Sequence, residues 1–284
     1  STPIKSSAAS DVYKRQELYL GWNDSFALMG KRFNYTVSAT LGDNKTVFTK
    51  FNNPEKNLSN HYEGKVLGEI WGYRVDGLFA SDEEAAEYTS KINQDAVNER
   101  ILTDKVDPYY RAGDLKFRDL DGDNVISKGD DTAYDAGDRE IIGNETPRYM
   151  YSFRLGADWN GFDLGIFFQG VGKRDWYPNY LSTGFWGPYS RAFTSFIPEN
   201  FMDQCWSEEN RDGYFPRFRG YQTFAGSQLG VNNDRYLQDA SYIRLKNLTV
   251  GYTLPVLKKV FTKLRVYFTC LLYTSDAADD LIGV

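Results

Sequence analysis

Residues 150–171 read MYSFRLGADWNGFDLGIFFQGV. In the first half Tyr151, Phe153, Leu155, Ala157 and Trp159 alternate with polar or small residues, and in the second Phe162, Leu164, Ile166 and Phe168 do the same. A period of two puts each set on one face of a strand. Asn160-Gly161 lies between the halves, and both residue types tolerate the positive φ that a two-residue hairpin turn needs. Such a turn pairs Trp159 with Phe162, Ala157 with Leu164, Leu155 with Ile166 and Phe153 with Phe168. Register and greasy face then agree. Each arm is about the 9–11 residues that a tilted strand needs to cross a bilayer. A sandwich hairpin shares the alternation, but here nearly every residue on the apolar face is large.

The pattern recurs outward from this hairpin. Across 31–41, Phe33, Tyr35, Val37, Ala39 and Leu41 share a face opposite Asn34, Thr36, Ser38 and Thr40. Gly42-Asp43-Asn44-Lys45 then reads as a tight turn, with 46–51 as a return strand. Further on, Leu248, Val250, Tyr252 and Leu254 form an apolar face, while Ile243 and Leu245 sit in the opposite phase, which predicts a bulge near Asn247. Pro255 is expected to close that strand, a turn to follow over 255–263, and 264–269 to open another strand. Between the short turns lie long polar segments, about 80–147 and 172–238. Long connections at one rim and short ones at the other are the layout of membrane barrels. In an ordinary compact domain, structureless loops of that size would count against the assignment. One helix is expected over 82–92, with Ser81 as N-cap and Glu84 completing a capping box.

Composition is compatible with this. Aromatic residues make up 16% of the chain and charged residues 25%, and no run approaches the roughly 18 apolar residues of a membrane helix. A net charge of −6 without a basic face argues against a nucleic-acid partner. The ends, 1–16 and 270–284, lack any strand or helix pattern. Residues 6–16 back-translate into codons whose reverse complement, in a shifted frame, encodes residues 270–279. Both ends therefore read as translated sequencing adapter around a coding segment 17–269. Cys205 is then the one native cysteine, so no disulfide framework is expected.

No catalytic constellation is visible, so the chain is not expected to be an enzyme. His61 is the only histidine and lies in no HExxH, and no P-loop or GxGxxG occurs. The run 119–130, DLDGDNVISKGD, is metal-like: Asp119, Asp121 and Asp123 alternate, the Val125 carbonyl and Ser127 follow, and Asp130 closes it. It departs from the usual Ca2+ loop in having Asn124 where glycine is normal and Asp130 where glutamate is. Structural Ca2+ and a plain acidic turn both remain open. Trp176, Tyr177, Tyr180, Phe185, Trp186 and Tyr189 cluster in the second long segment. Their faces suit stacking on cargo or contact with a lid protein, or else packing among themselves.

Four motifs in order resemble the SusC/RagA family of TonB-dependent outer-membrane receptors. They are Gly68-Glu-Ile-Trp-Gly-Tyr-Arg-Val-Asp-Gly-Leu-Phe79; Gly113-Asp-Leu-Lys-Phe-Arg-Asp-Leu-Asp-Gly-Asp123, leading to Ile142-Gly-Asn-Glu-Thr-Pro147; Gly161-Phe-Asp-Leu-Gly-Ile-Phe-Phe-Gln-Gly170; and Tyr242-Ile-Arg-Leu-Lys-Asn-Leu-Thr-Val-Gly-Tyr-Thr-Leu-Pro255. The resemblance implies an all-β fold, part of a transmembrane antiparallel barrel of about 22 strands, C-terminal in its receptor. It further implies residence in the cell outer membrane among lipid, a SusD-like surface lipoprotein as lid, energy from the TonB complex through N-terminal parts, and glycan or peptide cargo. Short turns would be periplasmic and long loops extracellular, and Tyr151, Phe153, Leu155, Phe162, Leu164, Ile166 and Phe168 would face lipid. The competing reading is a secreted β-rich carbohydrate-binding module with a Ca2+ loop.

Overall fold

A computed structural model describes residues 10–194, 197–254 and 263–272. The described chain opens with a hairpin, β1 (Ser10–Leu28) and β2 (Lys31–Lys50), turned at Met29 and Gly30. It leaves the sheet for a long excursion holding β3 (Glu69–Tyr73), β4 (Val75–Leu78), helix α1 (Asp82–Lys91), the single turn α2 (Glu99–Leu102), β5 (Leu115–Phe117) and β6 (Arg139–Asn144). A second hairpin follows, β7 (Arg148–Trp159) and β8 (Phe162–Lys173). The second excursion contains β9 (Asp175–Trp176), the helical turns α3 (Thr183–Trp186) and α4 (Pro188–Arg191), β10 (Cys205–Trp206), β11 (Phe215–Arg217) and β12 (Gln238–Asp239). Then β13 (Tyr242–Leu254) and β14 (Leu264–Leu271) return to the sheet.

The long strands form one six-stranded antiparallel sheet in the order β1-β2-β7-β8-β13-β14. Sheet neighbours follow chain order, as in the wall of an up-and-down barrel. The wall is open, with β1 and β14 at its edges. Register explains its two faces. Phe33 pairs with Trp159, Val37 with Leu155, Leu155 with Ile166 and Leu248 with Ile166, so each apolar set meets the next across the sheet. Leu18, Leu20, Trp22 and Phe26 of β1 continue this face through Leu41, Ala39, Val37 and Phe33. Phe268 and Val266 extend it from β13 onto β14. Many of these side chains are exposed in the chain itself, including Trp22, Phe26, Phe162, Val266 and Phe268. An apolar face this broad needs a nonaqueous neighbour. The opposite face carries Thr36, Ser38, Thr40, Ser152, Gln169, Thr249 and Thr269, with the Arg265–Asp163 ion pair among them. Greasy outside and polar inside is the alternation of a large membrane barrel.

The hairpin of 150–171 has the expected register, with Asn160 at φ 52° and Gly161 at φ 90°. The ladder of β13 with β8 shifts between Leu245 and Asn247, which brings Ile243 and Leu245 onto the same face as Leu248. Two expectations are corrected. Gly42–Lys45 is not a turn, because β2 runs straight through it: Gly42 pairs with Glu17 on one side and Met150 on the other, and Asp43 holds Arg148. The turn is Met29-Gly30 instead, at φ 51° and 74°. The N-terminal stretch is also strand from Ser10 onward, and Cys270 and Leu271 belong to β14. Ladder bonds are made by backbone groups and need no side-chain pattern. Pro255 and the turn expected over 255–263 lie outside the described residues, apart from Lys263.

The excursions leave the sheet from one rim, beyond Lys50, Arg148, Lys173 and Tyr242, while both described tight turns lie at the other. The excursions are not structureless. They fold together over one core that draws Tyr73, Leu115, Phe117 and Ile126 from the first and Trp186, Tyr189, Phe215 and Tyr236 from the second. Backbone and polar ties cross between them. Tyr73 N–H donates to Asn232 O at 2.9 Å, Leu115 N–H to Gln228 Oε1 at 2.9 Å, and Arg219 pairs with the buried Asp114 at 3.1 Å. In α1, Ser81 accepts from Glu84 N–H at 3.1 Å as foreseen, but the Glu84 carboxylate reaches back to Ala80 N–H rather than to Ser81.

Candidate functional site

The acidic run forms a tight loop stabilised by its own carboxylates. Asp119 accepts from Gly122 N–H at 2.7 Å and Asn124 N–H at 2.9 Å, Asp121 from Asp123 N–H at 3.1 Å, and Asp123 from Val125 N–H at 2.7 Å. Asn124 takes the left-handed conformation at φ 66°, which is how it stands in for glycine. Carboxylate oxygens of Asp119, Asp121 and Asp138 lie within 4.8 Å of one another. Asp123 and Asp130 of the expected set stay outside this group. Val125 instead bridges to Asn93, Ser127 N–H donates to Asp138 at 2.8 Å, and Asp130 N–H donates to Asp135 at 3.3 Å.

Asp138 was not foreseen, because it lies beyond the contiguous run and reaches it only through the fold. It is fully buried and accepts from Leu120 N–H at 2.7 Å as well as from Ser127. Burial raises its pKa, the two N–H donors oppose that, and Asp121 and Asp119 add to the rise. Three converging carboxylates are chemically suited to a hard divalent cation, which takes oxygen ligands.

The aromatic cluster divides. Trp186 and Tyr189 are fully buried, so the expectation that they touch cargo or lid is corrected: they are core residues. Trp186 Nε1 donates to Asn179 O at 3.0 Å, and Tyr189 OH donates to Pro216 O at 2.5 Å. Aromatic side chains with a polar tip do this when the tip finds a carbonyl. Tyr177 donates its hydroxyl to Val231 O at 2.9 Å, and burial pushes its phenol pKa well up. Tyr180 stays at the surface, 49% exposed, while Trp176 is half-buried.

Trp176 and Tyr177 line an open cleft of about 670 Å³ where the folded excursions meet the rim of the sheet. Trp71, Glu145, Asn179 and Asn232 are among its other walls, together with Lys65 and Arg139. Trp71 stands in the first quoted motif, yet nothing about its spacing marks it as a site residue. Only the crossing of β3, the end of β6 and the second excursion places it opposite that segment.

No family model matches the chain. Among known proteins, the TonB-dependent receptor P3 of Formosa agariphila is 31% identical over 194 residues, covering 68% of this chain and 16% of the relative. The TonB-dependent receptor P39 of the same organism is 26% identical over 260 residues, covering 82% of this chain and 24% of the relative. The chain thus spans less than a quarter of the length of either. Among solved structures, that of the RagAB peptide transporter matches 92% of this chain and 26% of its own at a TM-score of 0.54 and 18% identity. The likeness supports the barrel-wall fold, and the relatives are receptors rather than enzymes. With the open antiparallel wall, its two faces and the ordered motifs, the chain belongs to the SusC/RagA family of TonB-dependent receptors.

Proposed function

We propose that the chain forms part of the barrel of an outer-membrane receptor that imports oligosaccharides or peptides, energised through TonB and covered by a SusD-like surface lipoprotein. The observation that carries this reading is the wall itself: six consecutive antiparallel strands, apolar on one face and polar on the other. A secreted module would leave that apolar face and two unpaired edges in water, where such edges template aggregation. A lipid bilayer covers the face, and the rest of a closed barrel pairs the edges. The rim with Met29-Gly30 and Asn160-Gly161 is then periplasmic, and the folded excursions stand outside the cell. Uptake in the native host tests this. Deleting the full-length receptor gene should abolish import of labelled oligosaccharide or peptide, and a protonophore should do the same in the wild type. Import that persists in the deletion strain refutes the reading.

A second proposal concerns Asp119, Asp121 and Asp138, which we read as ligands of a structural Ca2+ that fixes the loop on the outer rim. The alternating aspartates supply the pattern, and the convergence of the three carboxylates supports it. Calorimetry on the full-length receptor should register Ca2+ uptake that D121A removes. Wild-type receptor that takes up none at millimolar Ca2+ leaves the loop as a plain acidic turn.

A further inference from the structure

We infer that internal water bridges the two excursions where 94–98 of the first meets 222–228 of the second, and that this bridge helps hold one wall of the cleft. The seam is internal to the excursions, so the bridge does not depend on the import reading.

Asn98, Ser227 and Gln228 are fully buried, and Gln222 is nearly so. Asn98 Oδ1, Gln222 Oε1, Ser227 Oγ and Gln228 Nε2 are closed off from solvent, and none has a hydrogen-bond partner among the described residues. Backbone ties bring their segments together. Glu99 N–H donates to Gly226 O at 2.8 Å, which draws the neighbours Asn98 and Ser227 to one seam. Leu115 is held from both sides of it: Gln94 Nε2 donates to Leu115 O at 3.0 Å, and Leu115 N–H donates to Gln228 Oε1 at 2.9 Å. Leu229 N–H donates to Gln222 O at 3.0 Å, returning Gln222 to the same segment.

Turning the amides over does not rescue them. Leu115 N–H fixes the Gln228 oxygen, and Asn98 Nδ2 is fixed by donating to Gln94 O at 2.9 Å. A flip of either would set donor against donor or acceptor against acceptor. Buried polar groups left without a partner are costly and rare. Here two amide oxygens can only accept, one amide nitrogen can only donate, and a hydroxyl does either. A cation would meet the oxygens but face the Gln228 N–H groups, and an anion would meet those and repel the oxygens. Water both donates and accepts, and a buried water typically makes about three hydrogen bonds to such groups. The same segment runs on to Asn232, which lines the cleft and whose carbonyl accepts from Tyr73 N–H at 2.9 Å. Water at the seam thereby braces that wall from behind.

The test uses the purified full-length receptor in detergent. A structure at a resolution that shows ordered water should place one within about 3.2 Å of Ser227 Oγ and of at least one of the other three atoms. S227A separates a bridged hydroxyl from a dry one. Removing a hydroxyl with no partner would leave hydrogen exchange unchanged or slow it. Removing one that holds water should quicken exchange at Glu99, Leu229 and Tyr73 roughly two- to tenfold, the loss of about one net hydrogen bond. Q222M, similar in length but without the amide, should act in the same direction. Water in place together with faster exchange supports the bridge. It is refuted if the structure shows a metal ion, direct bonds among the four atoms or no density between them, or if both variants leave exchange unchanged or slow it.

Discussion

The sheet and the folded excursions solve the same problem, burying apolar side chains, in opposite ways. Within the sheet every ladder bond is made by the backbone, and the apolar face is left for a solvent that is not water. Its side chains touch mainly across strands, as Phe26 does Phe33 at 5.0 Å and Phe162 does Tyr252 at 4.5 Å. In the excursions regular structure is scarce, and cohesion comes from a dry core. Trp186, Tyr189, Phe215 and Tyr236 pack ring on ring there, with centroids 5.4 Å apart between Trp186 and Tyr236. The sheet is thus a periodic object that depends on its surroundings. The excursions are an aperiodic one that carries its own interior.

If that division is real, the two regions should fail separately. The largest effect is expected from W186A, which deletes a fully buried indole and should cost the excursions about 3–5 kcal/mol. Hydrogen exchange on the full-length receptor in lipid should show 174–238 and 69–117 losing protection while β7 and β8 keep theirs. Loss of protection in the sheet as well would make the two regions one cooperative unit.

The converse comes from L155R. Leu155 lies mid-strand, between Val37 and Ile166 on the apolar face, and an arginine there should cost about 2–4 kcal/mol in a bilayer. S152R, on the opposite face, should stay within about 0.5 kcal/mol, as surface changes usually do. Folding into vesicles followed by heat-modifiability on gels measures both. Equal losses for the pair would mean that the faces have been assigned without physical basis, and a larger loss for S152R would reverse them.

The same division decides what could be read in the sequence. Period-two alternation and Asn160-Gly161 made the second hairpin legible to the residue, and the phase change at Ile243 and Leu245 marked the bulge. Alternation also misled where it faded. At Gly42–Lys45 the composition is that of a turn, yet β2 continues, since beyond the apolar band the ladder no longer depends on which side chains face out. The excursions were opaque because an aperiodic core leaves no period to detect. Trp186 and Tyr189 look in sequence like Trp176 and Tyr180, and only the fold separates the buried pair from the accessible one. Asp138 and Trp71 reach their sites through contacts across segments remote in sequence, so no local motif could contain them.

A smaller effect sharpens the comparison at the sheet's tight rim. Gly161 sits at φ 90°, and a Cβ there would lie 2.8 Å from Thr253 O. G161A should therefore cost about 1–2 kcal/mol, the usual penalty for forcing a side chain into left-handed backbone. The loss should appear as faster exchange at the β7–β8 turn and the adjoining end of β13, whose Thr253 N–H donates to Gly161 O at 2.7 Å. A shift in protection of the excursions, at the far rim, would contradict the independence of the two regions.

The smallest effect belongs to a local helix cap inside the excursions. Ser81 holds an extended conformation at φ −148°, and its side chain accepts from Glu84 N–H, satisfying one of the donors that the first turn of α1 leaves open. Asp82, Glu83 and Glu84 add negative charge where the helix dipole is positive. Removing the hydroxyl in S81A should cost about 1 kcal/mol. Only Ala85 of α1 is buried, so the helix contributes little to the core and its loosening should stay local. Exchange should quicken over 82–85 while the Trp186–Tyr236 core keeps its protection. Should S81A instead loosen that core, α1 would have to be counted as part of the interior, and the excursions would owe more to regular structure than their aromatic packing indicates.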